Sequence, residues 1–175
     1  MRRKLLTLAA IFGAALLMAS GASAQPAVDY VYGFGTANGA SFAAAAASGP
    51  QGQNPVGLVL VHGTVTSDSG PVTRTFHGDV SRGCLIVTGN RAAVIGRLPE
   101  SEQVTYSPFG TVEYAAIFVE DNGRPREGRP VDRVSETLFL KASSATGFCT
   151  HGSFVWPPSQ MFTLDSGDFV VHDAS

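Results

Sequence analysis

The fold is decided by residues 56–96, which read VGLVLVHGTVTSDSGPVTRTFHGDVSRGCLIVTGNRAAVIG. Short runs rich in Val, Thr, Leu and Ile are separated first by SDSG at 67–70 and then by the Gly89-Asn90 pair. Both separators are turn sequences, because Gly and Asn tolerate positive φ and because Ser and Asp side chains bond to nearby backbone groups. The stretch therefore predicts three antiparallel strands joined by two hairpins.

The first hairpin, over residues 56–80, is predicted to have one apolar face and one largely polar face. If Thr66 faces Pro71, the register follows from the turn, because successive side chains alternate between the two faces. The apolar face then contains Val59, Val61, Val65, Val72 and Phe76. The other face contains Leu60 together with His62, Thr64, Thr73, Thr75, His77 and Asp79.

The second hairpin is predicted to be apolar on both faces. Pairing Thr88 with Arg91 across the Gly-Asn turn places Cys84, Ile86, Ala93 and Ile95 on one face. The opposite face then holds Leu85, Val87, Ala92 and Val94. Such a hairpin must be covered on both sides, either by another part of the chain or by a second copy of the protein.

The rest of the chain continues this pattern of short strands. Tyr30, Tyr32 and Phe34 alternate with small residues, which predicts a strand with aromatic side chains on one face. The run Ala43–Ala47 has high helix propensity but lies between Gly39 and Gly49, so we interpret it as a strand. Further strands are predicted at 111–119, 134–141 and 169–172, with an irregular stretch around Cys149 between the last two.

These strands predict the fold class. Turn residues recur about every eight to twelve positions, as in antiparallel all-β domains. A meander of about eight or nine strands most simply closes into a single antiparallel β-barrel. A two-sheet β-sandwich is the alternative, which the sequence does not separate from the barrel.

The N-terminus has the pattern of a secretory signal peptide. Arg2, Arg3 and Lys4 precede an apolar run at 5–19, and the triplet 22–24 reads ASA. We predict cleavage after Ala24, which leaves a single β domain at 25–175 in a secreted or periplasmic protein. The alternative is an uncleaved anchor, but the run is shorter than the ~20 residues of a membrane-spanning helix, so we expect no stable membrane span.

Charge and cysteine content limit the function classes. Residues 1–24 contain three of the 12 Lys and Arg residues. The other nine, set against 14 Asp and Glu, give residues 25–175 a net charge of about −5. The chain has no extended basic patch, so we expect no nucleic-acid partner. Cys84 and Cys149 are the two cysteines, and in an oxidising compartment they predict a disulfide, with two buried thiols as the alternative.

Four short motifs carry a resemblance to a known group. They are YGFG at 32–35, GCLIVTGNRA at 83–92, EDNG at 120–123 and GDFVVHDA at 167–174. In their order along the chain they resemble an uncharacterised family of secreted bacterial β-rich proteins. The resemblance implies a shared β-rich domain and transfers no catalytic residue.

One candidate metal site lies on the polar face of the first hairpin. His62 and His77 would be diagonal neighbours there, with Asp79 two residues beyond His77. Two imidazoles and a carboxylate suit zinc or copper. The alternative is that the three side chains face solvent or bond to neighbouring strand residues.

A second candidate cation site is the loop that contains Asp121, Asn122, Glu127 and Asp132. These side chains offer the oxygen ligands that calcium prefers. The same residue types are also common in solvated turns, so a turn without a metal is the alternative.

The sequence predicts no catalytic residue and no required cofactor. It has no Gly-x-Ser-x-Gly motif, and Cys84 lies in an apolar strand. Our hypothesis is a secreted, non-enzymatic binding module for a small apolar ligand or a protein partner. The alternatives are an extracytoplasmic enzyme that uses a metal or paired carboxylates such as Glu113 and Glu136, and an envelope protein that self-associates as a homo-oligomer.

Overall fold

The computed structural model describes residues 27–68, 70–106, 110–123, 131–151 and 161–174. Its strands are β1 (Asp29–Ala37), β2 (Ala40–Ser48), β3 (Val56–Ser67), β4 (Gly70–Thr88), β5 (Arg91–Arg97), β6 (Val104–Tyr106), β7 (Gly110–Val112), β8 (Tyr114–Glu120), β9 (Arg133–Ser135), β10 (Leu138–Leu140), β11 (Met161–Thr163) and β12 (Ser166–His172). Helix α1 spans Ala142–His151, and short 3-10 turns span Pro50–Gly52 and Glu100–Glu102.

Ten of the described strands form one strongly curled antiparallel sheet, a half-barrel. The order across the sheet is β11-β9-β8-β5-β4-β3-β2-β1-β12, with β10 beside β8 and with β6 and β7 as a separate hairpin. The predicted all-β, barrel-like class is confirmed. The main sheet curls as one layer, so the described residues do not form the two-sheet sandwich.

Both predicted hairpins form with the predicted registers. Thr66 pairs with Pro71 in β3 and β4, and Thr88 pairs with Arg91 in β4 and β5. The register shifts between Asp79 and Cys84, so the single long strand β4 serves both hairpins. The alanine-rich run is also a strand, β2, between β1 and β3.

The core lies inside the curl of the sheet. Side chains that point inward from eight strands meet there, among them Val31, Phe42, Val59, Val94, Ile117 and Phe169. Each of these side chains is almost fully buried. Their burial provides the main driving force for curling the sheet, since each large apolar side chain contributes about 1.5–3 kcal/mol on leaving water.

The second face of the β4–β5 hairpin is covered by the chain itself. Helix α1 packs Ala145 and Phe148 against Ile95 and neighbouring apolar side chains on the outside of the sheet. Cys84 and Cys149 form the predicted disulfide, with an S–S distance of 2.01 Å, which ties the helix to β4. The prediction of an irregular stretch around Cys149 was wrong, because residues 142–151 are helical.

The consecutive strands β11 and β12 connect the two ends of the sheet. β11 pairs with β9, whereas β12 pairs with β1, and only Leu164 and Asp165 lie between them. Leu164 donates its backbone N–H to the carbonyl of Asp132 at 3.0 Å, and Asp165 donates to the carbonyl of Thr36 at 2.7 Å. We call the junction of β12 with residues 121–123 and 131–132 the seam. No helix in the described residues is long and apolar enough to span a bilayer.

Candidate functional site

An open cavity of about 600 Å³ lies at one end of the half-barrel. We call it the mouth cavity. Its aromatic lining consists of Phe42, Phe76, Tyr106, Phe139 and Phe162. Its rim includes Asn38, Thr64, Thr66, Glu136 and Thr137. The site therefore combines an aromatic interior with hydrogen-bonding groups at the opening.

The cavity follows from the way the sheet closes. β10 pairs with β8 on one side, and within the described residues no strand pairs with its other side. Phe139 of β10 points inward, where its ring meets Phe76 edge-on with 4.7 Å between the ring centroids. The β1–β2 turn, Ala37–Ala40, lines the cavity as well. The space between these elements is left open at this end.

The electrostatics of the cavity are set by few ionisable groups. Among the described lining residues, these are Tyr106 and Glu136. Burial raises the pKa of Tyr106, and the nearby charge of Arg74 partly opposes that rise. Tyr106 is therefore a neutral hydroxyl at neutral pH, able to donate and accept a hydrogen bond.

Arg74 stands beside the aromatic wall of the cavity. Its guanidinium lies 4.7 Å from the centroid of the Phe76 ring and donates from Nη2 to the Glu102 carbonyl at 2.7 Å. Its Nε is buried and has no hydrogen-bond partner among the described residues. Stacking on Phe76 stabilises this cation and holds the ring in place.

The three predicted metal-binding residues lie on the exterior of β3 and β4 and are not among the residues that line the mouth cavity. His62 Nδ1 is 3.0 Å from Thr75 Oγ1, and Asp79 Oδ1 accepts from the Ser81 hydroxyl at 2.7 Å. His77 Nδ1 lies 2.7 Å from Glu102 Oε1. In the described part of the chain, no group of three or more His, Cys, Asp or Glu is placed to hold a metal ion. Metal binding here stays a prediction.

Glu102 is the partner of His77 that the sequence did not indicate. It lies in the 3-10 turn Glu100–Glu102, 25 residues from His77, and its carboxylate also accepts the backbone N–H of His77. No local spacing connects the two residues. Only the packing of this turn against β4 brings them together.

The predicted calcium loop has a different role in its described part. Asp132 accepts backbone N–H groups from Asn122 and Phe169, each at 2.8 Å. Asp121 accepts the N–H of Val171 at 2.9 Å. Burial raises the pKa of Asp132, and its two backbone hydrogen bonds partly oppose that rise. Glu127 lies outside the described residues, and calcium binding stays a prediction.

The paired-carboxylate hypothesis concerned Glu113 and Glu136. Glu113 Oε1 lies 3.9 Å from Arg97 Nη2. Glu136 is exposed at the rim of the mouth cavity. A catalytic role for the two stays a prediction.

A second cavity, of about 350 Å³, lies beside the disulfide. Asp29 and Asp173 line it. Both carboxylates bond to the backbone, Asp29 to the N–H of Ala174 at 2.9 Å and Asp173 to the N–H of Gly89 at 2.6 Å. These two carboxylates therefore fasten the C-terminal end of β12 to neighbouring parts of the chain.

The outer side of β1, β2 and β3 is a second candidate surface, which we call the exterior face. It has three columns: an aromatic ridge (Tyr30, Tyr32, Phe34), an alanine trough (Ala43, Ala45, Ala47) and an aliphatic ridge (Val56, Leu58, Leu60). Four of these large side chains are exposed: Tyr32 by 54%, Phe34 by 70%, Val56 by 58% and Leu58 by 40%. The predicted strand with aromatic residues on one face is present, and that face points outward.

No protein-family model, curated protein or solved structure matches the chain. The resemblance to secreted bacterial β-rich proteins stays an expectation from the four motifs.

Proposed function

We propose that this protein is a non-enzymatic binding module that acts outside the cytoplasm and takes up a small, largely apolar molecule in the mouth cavity. The observation that carries the proposal is the aromatic lining of that cavity. Its volume of about 600 Å³ falls in the range of roughly 300–1,000 Å³ that is typical of small-molecule sites. Small-molecule sites combine apolar and aromatic side chains with polar groups that orient the ligand, and the mouth cavity contains both kinds of side chain.

The lining favours a particular ligand chemistry. The accessible rings of Phe139 and Phe162 offer an apolar contact for an aromatic or aliphatic body. The exposed carboxylate of Glu136 at the rim favours a donor group, such as a hydroxyl or an amine, at the end that faces solvent. We therefore infer an amphiphilic ligand that enters apolar end first.

The location outside the cytoplasm rests on two features. The N-terminal pattern is that of a secretory signal, and disulfides persist mainly in oxidising compartments. The Cys84–Cys149 bond joins residues 65 positions apart and anchors the only helix of the described residues. Both features support a secreted or periplasmic protein.

A fluorescence titration of residues 25–175 with N-phenyl-1-naphthylamine tests the proposal. This neutral probe brightens in apolar sites, and it should bind the parent protein saturably with one site per chain. Thr137→Phe places a ring at the cavity rim and should weaken binding at least tenfold. Thr111→Phe makes the same change at an exposed strand position outside the lining, and it should bind as the parent does.

Two results would reject the proposal. One is a parent that gives no saturable signal. The other is an equal affinity for Thr137→Phe and Thr111→Phe, which would place the probe somewhere other than the mouth cavity.

A further inference from the structure

The exterior face is distinct from the mouth cavity and carries an inference beyond ligand binding. The strand registers align its columns in rows. Tyr32 lies beside Ala45 and Ala45 beside Leu58, while Phe34 lies beside Ala43 and Ala43 beside Leu60. Each row thus has a large side chain, a methyl group and a second large side chain.

The same rows continue onto β12. On the far side of the aromatic ridge, Val170 pairs with Tyr32, His172 with Tyr30 and Asp168 with Phe34, so β12 brings one carboxylate to the border of the exterior face. The nine positions of the exterior face carry no Lys, Arg, Asp or Glu. A contiguous uncharged surface with exposed Phe and Tyr is typical of interaction sites.

We propose that a second copy of this chain docks on the exterior face as a two-fold dimer, with the aromatic ridge of each copy in the alanine trough of the other. The shape of the face carries this choice of partner. Two stacked sheets lie about 10 Å apart, so a large side chain on one needs a small one opposite. The ridge on β1 and the trough on β2 supply that complement within one surface.

The symmetry of the dimer follows from the order of the columns. Consider a two-fold axis that runs parallel to the strands, above the gap between β1 and β2. Each row of one copy then faces the same row of the other copy, and the β1 column of one copy faces the β2 column of the other. Tyr32 then lies over Ala45 of the other copy, Val170 lies over Leu58, and Asp168 lies over Leu60 at the edge of the interface. An axis perpendicular to the strands would instead place ridge on ridge. A two-fold interface uses one self-complementary patch on both copies, which this face provides.

The size of the face sets the strength of the dimer. The three strands of the exterior face together with β12, at about seven residues each, cover a footprint of at most roughly 450 Å² per copy, from ~3.3 Å per residue and ~4.8 Å between strands. Stable complexes bury about 800 Å² per partner. We therefore expect a reversible dimer with a micromolar dissociation constant.

Sedimentation velocity of residues 25–175 from about 5 to 500 μM tests the proposal. The parent should move from monomer to dimer across this range. Phe34→Lys places a charge on the exposed ridge and should weaken association at least tenfold. Thr105→Lys adds the same charge at an exposed position of β6, and it should dimerise as the parent does.

Exchanging a large and a small side chain between the aromatic ridge and the alanine trough tests which column of one copy faces which column of the other. Ala45→Phe fills the trough and should abolish the dimer, because the new ring meets Tyr32 of the other copy. Adding Tyr32→Ala to the same chain removes that clash at both symmetric contacts and should restore association. If association depended only on the exposed apolar area, Ala45→Phe alone would strengthen it, which is the opposite of the result expected here.

The proposal is overturned if the parent is monomeric throughout, or if Phe34→Lys and Thr105→Lys behave alike. A monomeric parent that sediments with phosphatidylcholine vesicles would assign the face to a lipid surface instead. Binding of N-phenyl-1-naphthylamine by Phe34→Lys should match the parent, so this test and that of the mouth cavity fail independently.

Discussion

The carboxylate of Asp132 accepts a hydrogen bond at 2.8 Å from the backbone N–H of Phe169, 37 residues farther along the chain. Two residues beyond Phe169, the N–H of Val171 donates to the carboxylate of Asp121 at 2.9 Å. Alternate N–H groups of β12 are thus satisfied by side chains where a neighbouring strand would otherwise supply carbonyl groups. The seam of the half-barrel is therefore closed in part by aspartates.

Asp132→Asn is predicted to destabilise the protein. The amide keeps one oxygen acceptor, but its NH₂ group then faces an N–H donor, so one of the two backbone bonds is lost in a buried site. We expect a loss of about 2–4 kcal/mol in the free energy of unfolding, measured by urea denaturation. Asp165→Asn, at an exposed position, is the control, and equal losses in both variants would contradict a role for the seam.

The raised pKa of Asp132 predicts a pH dependence with a definite sign. Burial is the main cause, and the negative charges of Asp121 and Asp168 add to it. Between the ordinary pKa of an aspartate and the raised folded value, the folded state binds more protons than the unfolded state. The stability that this group contributes is therefore greatest in acid and is lost as the pH rises through the folded pKa.

Comparing the parent with Asp132→Asn separates the contribution of Asp132 to the pH dependence of stability from the contributions of the other carboxylates. The difference between their unfolding free energies should grow as the pH is lowered from about 7 towards 4. A difference that shrinks over that range would mean that the folded pKa of Asp132 lies below its ordinary value.

Reduction of the Cys84–Cys149 disulfide is predicted to destabilise the fold. The bond spans 65 residues, and the chain-entropy model gives about 4 kcal/mol for a loop of this length. Urea midpoints with and without dithiothreitol measure the effect. Cys84→Ala/Cys149→Ala should already be as unstable as the reduced parent and should not respond to the reductant; a parent that also does not respond would contradict this account.

Two glycines are predicted to respond to alanine in opposite directions. A Cβ at Gly96 would lie 2.4 Å from the carbonyl carbon of Gly78, where β4 and β5 approach closely. Gly147 lies inside α1 with nothing within 4 Å of the added carbon. Thermal unfolding should show a loss of more than about 2 kcal/mol for Gly96→Ala and a gain of about 0.5–1 kcal/mol for Gly147→Ala. Equal signs would contradict it.

The parts of the fold that the sequence predicts are those set by local turns. A short connection fixes which residues face each other, so the pairs Thr66–Pro71 and Thr88–Arg91 follow from the turns alone. The alternation of Tyr30, Tyr32 and Phe34 likewise predicts a strand and a shared face. That this face points outward depends on which side the curled sheet buries, and the local pattern does not show it.

The parts that the sequence misses depend on distant contacts. Residues 142–151 include several Ser and Thr residues and a Gly, which are poor helix formers; the helix is held by the disulfide and by packing of Ala145 and Phe148. The sequence around Asp121 and Asp132 is typical of a turn or a calcium site. Their hydrogen bonds to the backbone of β12 depend on a strand that is distant in sequence. The residues that line the mouth cavity are spread from residue 37 to residue 162. No single stretch of sequence therefore predicts the cavity.

The most direct test of ligand binding in the mouth cavity is an NMR titration of ¹⁵N-labelled residues 25–175 with N-phenyl-1-naphthylamine. We expect the largest amide shifts in the β1–β2 turn, at residues 63–66 and at Thr137. Shifts centred on the exterior columns of β1 and β3 at dilute protein, or no saturable shifts at all, would contradict it.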